Sequence, residues 1–273
     1  NFHTTEVKFN LDADGKPLGV ILKESKDAHK LIEDFMLLAN KGVATLINKT
    51  KKNQQAKTFV YRIHNSPSDD KLLEYKHFVE KMGYRINING RKQLSKSFND
   101  LLEAIKDKPE EYLITDLAIR TMDKARYSTQ NVGHYGLAFD NYTHFTSPIR
   151  RYPDLMVHRL LERYLAEKPS VPANETEEKC KHCTNQEIKA TKAERDSVKY
   201  KQVEFMQNKL GQQFVGVISG VSKWGLYVEL RENKCEGLVS LRDMDDDHYY
   251  LDEEKYSIVG QRWGKVYRLG DIV

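Results

Sequence analysis

The apolar pattern of this chain changes period at Gly211, and no single regular architecture accommodates both sides of that change. Ahead of it the signal is helical. Ala28, Leu31, Ile32, Phe35, Met36 and Ala39 recur at i, i+3, i+4, i+7, i+8 and i+11, and Val157, Leu160, Leu161, Tyr164 and Leu165 form a second stripe. Behind it, residues 214–219, 225–230 and 236–240 are short strand-like runs parted by Gly- and Asn-rich turns, the texture of a small barrel. The expectation is an α+β fold: mixed helices and antiparallel strands over residues 1–210, then an incomplete all-β barrel over 211–273.

Local signals fill in the elements. Asp12-Ala-Asp14-Gly15 between 6–10 and 18–22 predicts a hairpin, with Asp-Gly acting as turn chemistry rather than as a calcium loop. A helix is predicted over 27–40 with Gly42 as its C-cap. A strand over 58–64 follows, then helices over 70–82, 100–106 and 109–124, the last opened by Pro109, with a short strand over 84–89 between the first two. Residues 134–139 and 142–145 read as a hairpin about Asp140-Asn141. It delivers the chain to a helix with Pro153 at N1 and Asp154 in its first turn. A polar loop over 168–178 precedes a charged helix over 184–209. Asn1 and Val273 both read as cut ends.

Composition excludes several classes. No run approaches the ~20 apolar residues that cross a bilayer, and the start lacks a basic and apolar leader, so the expectation is a cytoplasmic protein without membrane contact. Three cysteines cannot build a disulfide framework, and Cys180-Lys-His-Cys183 has no second pair to complete a zinc site. Residues 211–273 carry 8 Lys/Arg against 11 Asp/Glu, while the remainder carries 36 against 29, so the positive excess lies in the first part. That excess suits a polyanion there. The acidic stretch 243–254 reads as a solvated loop.

Three groups of residues carry possible chemistry. Arg150 and Arg151 lie just ahead of a helix N-terminus, where backbone N–H groups and the dipole already favour an anion. Two guanidiniums there form a phosphate site, or alternatively pair with Asp154 and neighbouring carboxylates. On the first helix, Glu33, Leu37 and Asn40 share the face opposite the apolar stripe, which is either a second covered face or a solvated one. In the barrel, Lys223, Trp224 and Tyr227 stand around Gly225 at a strand start. Their rings are either stacking platforms for bases or plain core.

The run from Gly133-His-Tyr-Gly-Leu-Ala-Phe through His-Phe-Thr-Ser-Pro-Ile-Arg-Arg-Tyr-Pro-Asp-Leu-Met-Val-His-Arg159 closely resembles the C-terminal signature of the ribonuclease II/ribonuclease R family. Residues 27–40 are similar to the family's earlier helix. Residues 214–241 resemble its terminal RNA-binding domain of the ribosomal S-one type, an OB-fold, and Tyr249-Tyr250, Gly260-Gln-Arg and 267–271 favour the ribonuclease R branch. The resemblance implies the C-terminal part of an RNB-type nuclease domain in a monomeric, Mg²⁺-assisted exoribonuclease. Such an enzyme degrades single-stranded RNA 3′ ends processively to nucleoside 5′-monophosphates. It implies that Arg150 stabilises the transition state and that Glu33 holds the terminal ribose. Arg151, Ser147, Asn40, Lys223, Trp224 and Tyr227 are the expected RNA contacts. The family's metal-binding aspartates have no counterpart before Asp27, so this stretch alone is expected not to cleave RNA. Ser240 stands where such barrels often carry histidine. The alternative is a non-catalytic RNA-binding or scaffold relative.

Overall fold

The computed structural model describes residues 6–23, 26–49, 56–106, 108, 110–253 and 255–273. In chain order the elements are β1 (Glu6–Leu11), β2 (Pro17–Lys23), α1 (Asp27–Asn48), β3 (Tyr61–Ile63), α2 (Asp69–Lys81), α3 (Arg91–Ile105), α4 (Glu111–Thr121) and β4 (Arg126–Ser128). Then follow α5 (Tyr152–Leu165), α6 (Ala173–Gln207), β5 (Gly216–Ser222), β6 (Gly225–Leu230), β7 (Glu236–Ser240), β8 (Tyr249–Asp252), β9 (Ser257–Gly260) and β10 (Val266–Arg268). They fall into two compact units, one of residues 25–68 and 122–194, the other of 1–24, 69–121 and 195–273.

In the unit of 25–68 and 122–194, β3 and β4 pair antiparallel with Tyr61 opposite Ser128. Phe59, Val60, Ile63 and Tyr127 bury against Met156, Val157, Leu160 and Tyr164 of α5, with Ala44 of α1 and Cys180 of α6 in the same core. Burial pushes the Cys180 thiol up to about 12, so it packs as a small apolar group. Helix α1 corrects two expectations. It runs through Gly42 to Asn48, because Val43, Ala44 and Ile47 dock on the core and outweigh one glycine's weak propensity. Its packed face is the one carrying Asn40 and Ala44, whereas Leu31, Ile32 and Phe35 are 56%, 59% and 60% exposed. Small Ala44 admits close approach, and Asn40 anchors the face by hydrogen bonds.

The hairpin expected over 134–145 does not form. Gly133 and Ala138 take left-handed φ of 80° and 55°, Tyr135–Leu137 is a single 3-10 turn, and the amide of Tyr135 bonds His64 O. The following segment docks on β3 instead: the Arg62 amide donates to Tyr142 O, and Thr143 Oγ1 donates to Val60 O at 2.7 Å. Helix α6 starts at Ala173, where the sequence reads as a loop. Its buried positions there are Thr176 and Cys180, too few and too small to register as an apolar stripe.

In the other unit, β1 and β2 form the predicted hairpin, with Asp12 Oδ1 accepting the amides of Asp14 and Lys16. Tyr75 of α2 stacks on Phe98 of α3 at 5.5 Å, and Leu94, Phe98, Leu101 and Ile105 bury one face of a helix longer than the 100–106 expected. Residues 84–89 form no strand, since the amides of Asn87 and Asn89 bond Ser97 Oγ and Asn87 Oδ1. Helix α4 is shorter at both ends than expected, and Pro109 lies outside the described residues. The three predicted barrel strands form the sheet β5-β6-β7, and β8, β9 and β10 make a second sheet. Ile218, Leu226 and Ile258 bury between them. Gly216 exchanges backbone hydrogen bonds with Val273 at 2.8 and 3.0 Å, but the strands do not close into a barrel. The acidic stretch is not a loose loop: Asp247 accepts the amides of His248, Arg262 and Trp263. Among the described residues no helix is long and apolar enough to cross a membrane.

Candidate nucleic-acid interface

The signature loop is held peptide by peptide. Asn40 is 3% exposed, its Oδ1 accepts the Phe145 amide at 2.9 Å, and its Nδ2 donates to Tyr142 Oη at 3.2 Å. His158 Nε2 donates to Phe145 O at 2.8 Å while its ring stacks on Phe145 at 4.1 Å. The Ser147 amide donates to Asp154 Oδ1 at 2.8 Å, and Ser147 O accepts the amides of Arg150 and Arg151. Tyr142, Thr143, Phe145, Ser147 and Arg151 are thus tied to the segment 60–62, α1 or α5, which anchors the loop carrying residues 149–151.

The two arginines, equivalent in the sequence, are unlike in the structure. Arg151 is the N-cap of α5, with Tyr152 at N1 and Pro153 one position later than expected. Its Nη2 pairs with fully buried Asp154 at 2.8 Å. Arg150 is exposed, and its guanidinium makes no ion pair or hydrogen bond among the described residues. Ile149 beside it is completely solvent-facing, at 103% exposure. Arg62 lies behind the loop, paired to Glu187 at 2.6 Å and stacked over Tyr127 at 4.6 Å. Tyr127 Oη lies 2.8 Å from His144 Nδ1. Burial, then the positive charges of Arg151, Arg62, His134 and Arg150, drive the His144 pKa down to about 3. The histidine stays neutral in a cationic field, an environment that favours a polyanion.

Of the sequence-derived site residues, Arg150, Arg151 and Ser147 come together on this loop, and Asn40 supports it from beneath. Asn40 is not a free contact: its amide is committed inside the protein, so touching RNA would require breaking those bonds. Glu33 is exposed on the Asn40 face of α1, about two turns toward the N-terminus. Trp224 and Tyr227 are 63% and 37% exposed, and Lys223 Nζ stands 5.0 Å from the Trp224 ring centre. Gly220 opposite Tyr227 leaves room for its ring. Trp263, 73% exposed, is an aromatic that the sequence reading passed over, although a neighbouring glycine marks its turn. Arg62, Tyr127 and His144 also escaped it, since only folding brings them together. Among the described residues no group of three His, Cys, Asp or Glu side chains is placed to hold a metal ion.

The RNB domain family matches residues 1–167, more than half of the sequence. This chain belongs to the RNB family. An S1 RNA binding domain matches residues 208–265. The RNB chain is 38% identical to ribonuclease R of Aquifex aeolicus over 277 residues, covering all of this chain and 38% of that protein. It therefore spans well under half the length of the curated relatives it matches. Its fold matches that of Mycoplasma genitalium RNase R in complex with ribose-methylated single-stranded RNA, with a TM-score of 0.86, 29% identity, and 99% of this chain and 42% of that one covered. Yeast Ssd1, described as a pseudonuclease, shares the fold alone, at a TM-score of 0.65 and 23% identity over 86% of this chain and 29% of that one.

Proposed function

We propose that this RNB chain forms the phosphate-gripping part of a 3′→5′ exoribonuclease of the ribonuclease R type, a monomeric cytoplasmic enzyme that shortens single-stranded RNA to nucleoside 5′-monophosphates. Residues 1–210 belong to the nuclease domain and 211–273 to an RNA-binding domain. The observation that carries this reading is the division of labour between two adjacent arginines. Arg151 is neutralised by buried Asp154, whereas Arg150 keeps its full fork of donors turned outward on a rigid loop. A guanidinium stays charged at any working pH and offers two parallel N–H bonds to phosphate oxygens, so it stabilises charge that builds up during phosphoryl transfer. Glu33 holds the terminal ribose, and Arg151 and Ser147 shape the phosphate seat. The metal-holding carboxylates are supplied by residues other than these, and the chain by itself binds RNA without cleaving it.

The test is Arg150→Ala in the full-length protein, with turnover and RNA affinity measured separately. A contact that strengthens only in the transition state lowers kcat by about 10²–10³-fold and changes Kd little. Equal losses in both reduce Arg150 to a grip on the ground-state backbone. A variant with wild-type turnover overturns the role given to Arg150, and a wild-type full-length protein that binds RNA without turnover favours a non-catalytic relative.

A further inference from the structure

Asp154 is fully buried in the first turn of α5, and its Oδ1 receives two donors at 2.8 Å, the Ser147 amide and Arg151 Nη2. Ser147 O in turn accepts the amides of Arg150 and Arg151 at 3.3 and 3.0 Å. One carboxylate thus fixes both ends of the turn from Ser147 to Arg151 on which Arg150 sits. The arrangement is unfinished as a stabilising device: Asp154 Oδ2, Arg151 Nε and Thr146 Oγ1 are buried without a hydrogen-bond partner among the described residues. Burying a charge pair costs desolvation that only full hydrogen bonding recovers, and an apolar pair of similar volume stabilises as well or better. A half-satisfied carboxylate is therefore poorly explained by stability alone.

We infer that Asp154 is a positioning residue for Arg150: it engages the neighbouring Arg151 and closes the Ser147–Arg151 turn, so that one guanidinium in one place meets the reacting phosphate. This rests on the proposed role of Arg150. Without the carboxylate, the Arg151 side chain, now only 20% exposed, is released beside Arg150. A second cation improves the grip on RNA in the ground state while drawing the phosphate away from the geometry that the transition state requires. A displacement of about 1 Å is enough for a ~10²-fold loss.

The experiment is a double-mutant cycle in the full-length protein with Asp154→Asn, Arg150→Ala and the two combined, measuring kcat, KM for a single-stranded RNA, and the thermal midpoint. Asparagine keeps the shape and still accepts the Ser147 amide. Asp154→Asn is expected to lower kcat by about 10–100-fold with KM unchanged or lower, and to add less than about twofold in the Arg150→Ala background. A packing role would instead lower the midpoint and multiply its loss onto Arg150→Ala. Should Asp154→Asn fail to fold, Asp154→Glu keeps the charge and the Arg151 partner but shifts the carboxylate, and with it the turn, by one methylene, and it enters the same cycle with the same expected non-additivity. Wild-type kcat in Asp154→Asn, or a multiplicative loss, overturns the positioning role alone. Intact turnover in Arg150→Ala overturns the reading of Arg150 on which it rests.

Discussion

At the scale of single residues, the cationic field around the signature loop has a consequence for stability. His144 titrates near 3 in the folded protein because it is buried and because Arg151, Arg62, His134 and Arg150 oppose its charge. In the unfolded chain an imidazole titrates near 6.5. Below that value the unfolded state binds a proton that the folded state refuses, so stability is fully present above pH 6.5 and is lost as pH falls toward 3. His144→Asn places an amide oxygen near the position of Nδ1, keeps an acceptor for the Tyr127 hydroxyl, and cannot titrate. Urea denaturation at pH 7.5 and at pH 5 should show a stability loss in the wild type that exceeds the variant's by up to about 1 kcal/mol per pH unit. Equal pH dependence in the two proteins means that neither burial nor the neighbouring cations hold His144 neutral. The Arg150-Arg151 pair was legible in the sequence because adjacent guanidiniums before a Pro-Asp helix start have a local meaning. The unequal fate of the two was not, since it depends on which one the buried Asp154 captures.

At the scale of elements, periodicity located helices well and their ends poorly. The stripe in α1 gave the helix its existence, yet it pointed to the wrong face, since a helix can carry a second contact surface built from Asn and Ala that no hydropathy pattern marks. The same blindness hid the start of α6, where Thr176 and Cys180 do the packing. Strand assignments succeeded in β5, β6 and β7, where turns are set by local chemistry, and failed over 134–145, where the partner strand comes from distant residues 60–64. Two glycines separate these cases experimentally. Gly42 is interior to α1, with nothing within 4 Å of an added Cβ, so Gly42→Ala should stabilise the protein by about 0.5–1 kcal/mol through reduced backbone entropy of the unfolded chain. At Gly225, with φ of 150°, a Cβ would lie 2.0 Å from Val239 O, so Gly225→Ala must break the β6–β7 register and destabilise by several times that amount. Thermal melts of both variants check the pair. A destabilised Gly42→Ala would mean that the helix does not continue past residue 41.

At the scale of the whole molecule, the proposed function assigns two kinds of nucleic-acid chemistry to different units: transition-state charge to the Arg150 guanidinium, and base stacking to the exposed rings. They should separate in kinetics. Trp224 exposes most of its surface, and one ring face is already occupied by the Lys223 ammonium, which leaves the other face for a base. Tyr227 rests on Gly220 and is less open, so it should contribute less. Stacking is lost equally from the ground and transition states, and such uniform binding lowers KM without raising kcat. In the full-length protein Trp224→Ala is therefore expected to weaken RNA binding by about 1–3 kcal/mol, with kcat at saturating RNA within about twofold of the wild type. Fluorescence anisotropy with a single-stranded oligonucleotide and single-turnover cleavage measure the two quantities on the same preparation. The sequence alone left Trp224 and Tyr227 balanced between core and platform, because an aromatic beside a glycine suits both, and their exposure speaks against the core. Unchanged affinity in Trp224→Ala would return that ring to a role in folding, and a fall in kcat would mean that the S1 domain acts on the chemical step.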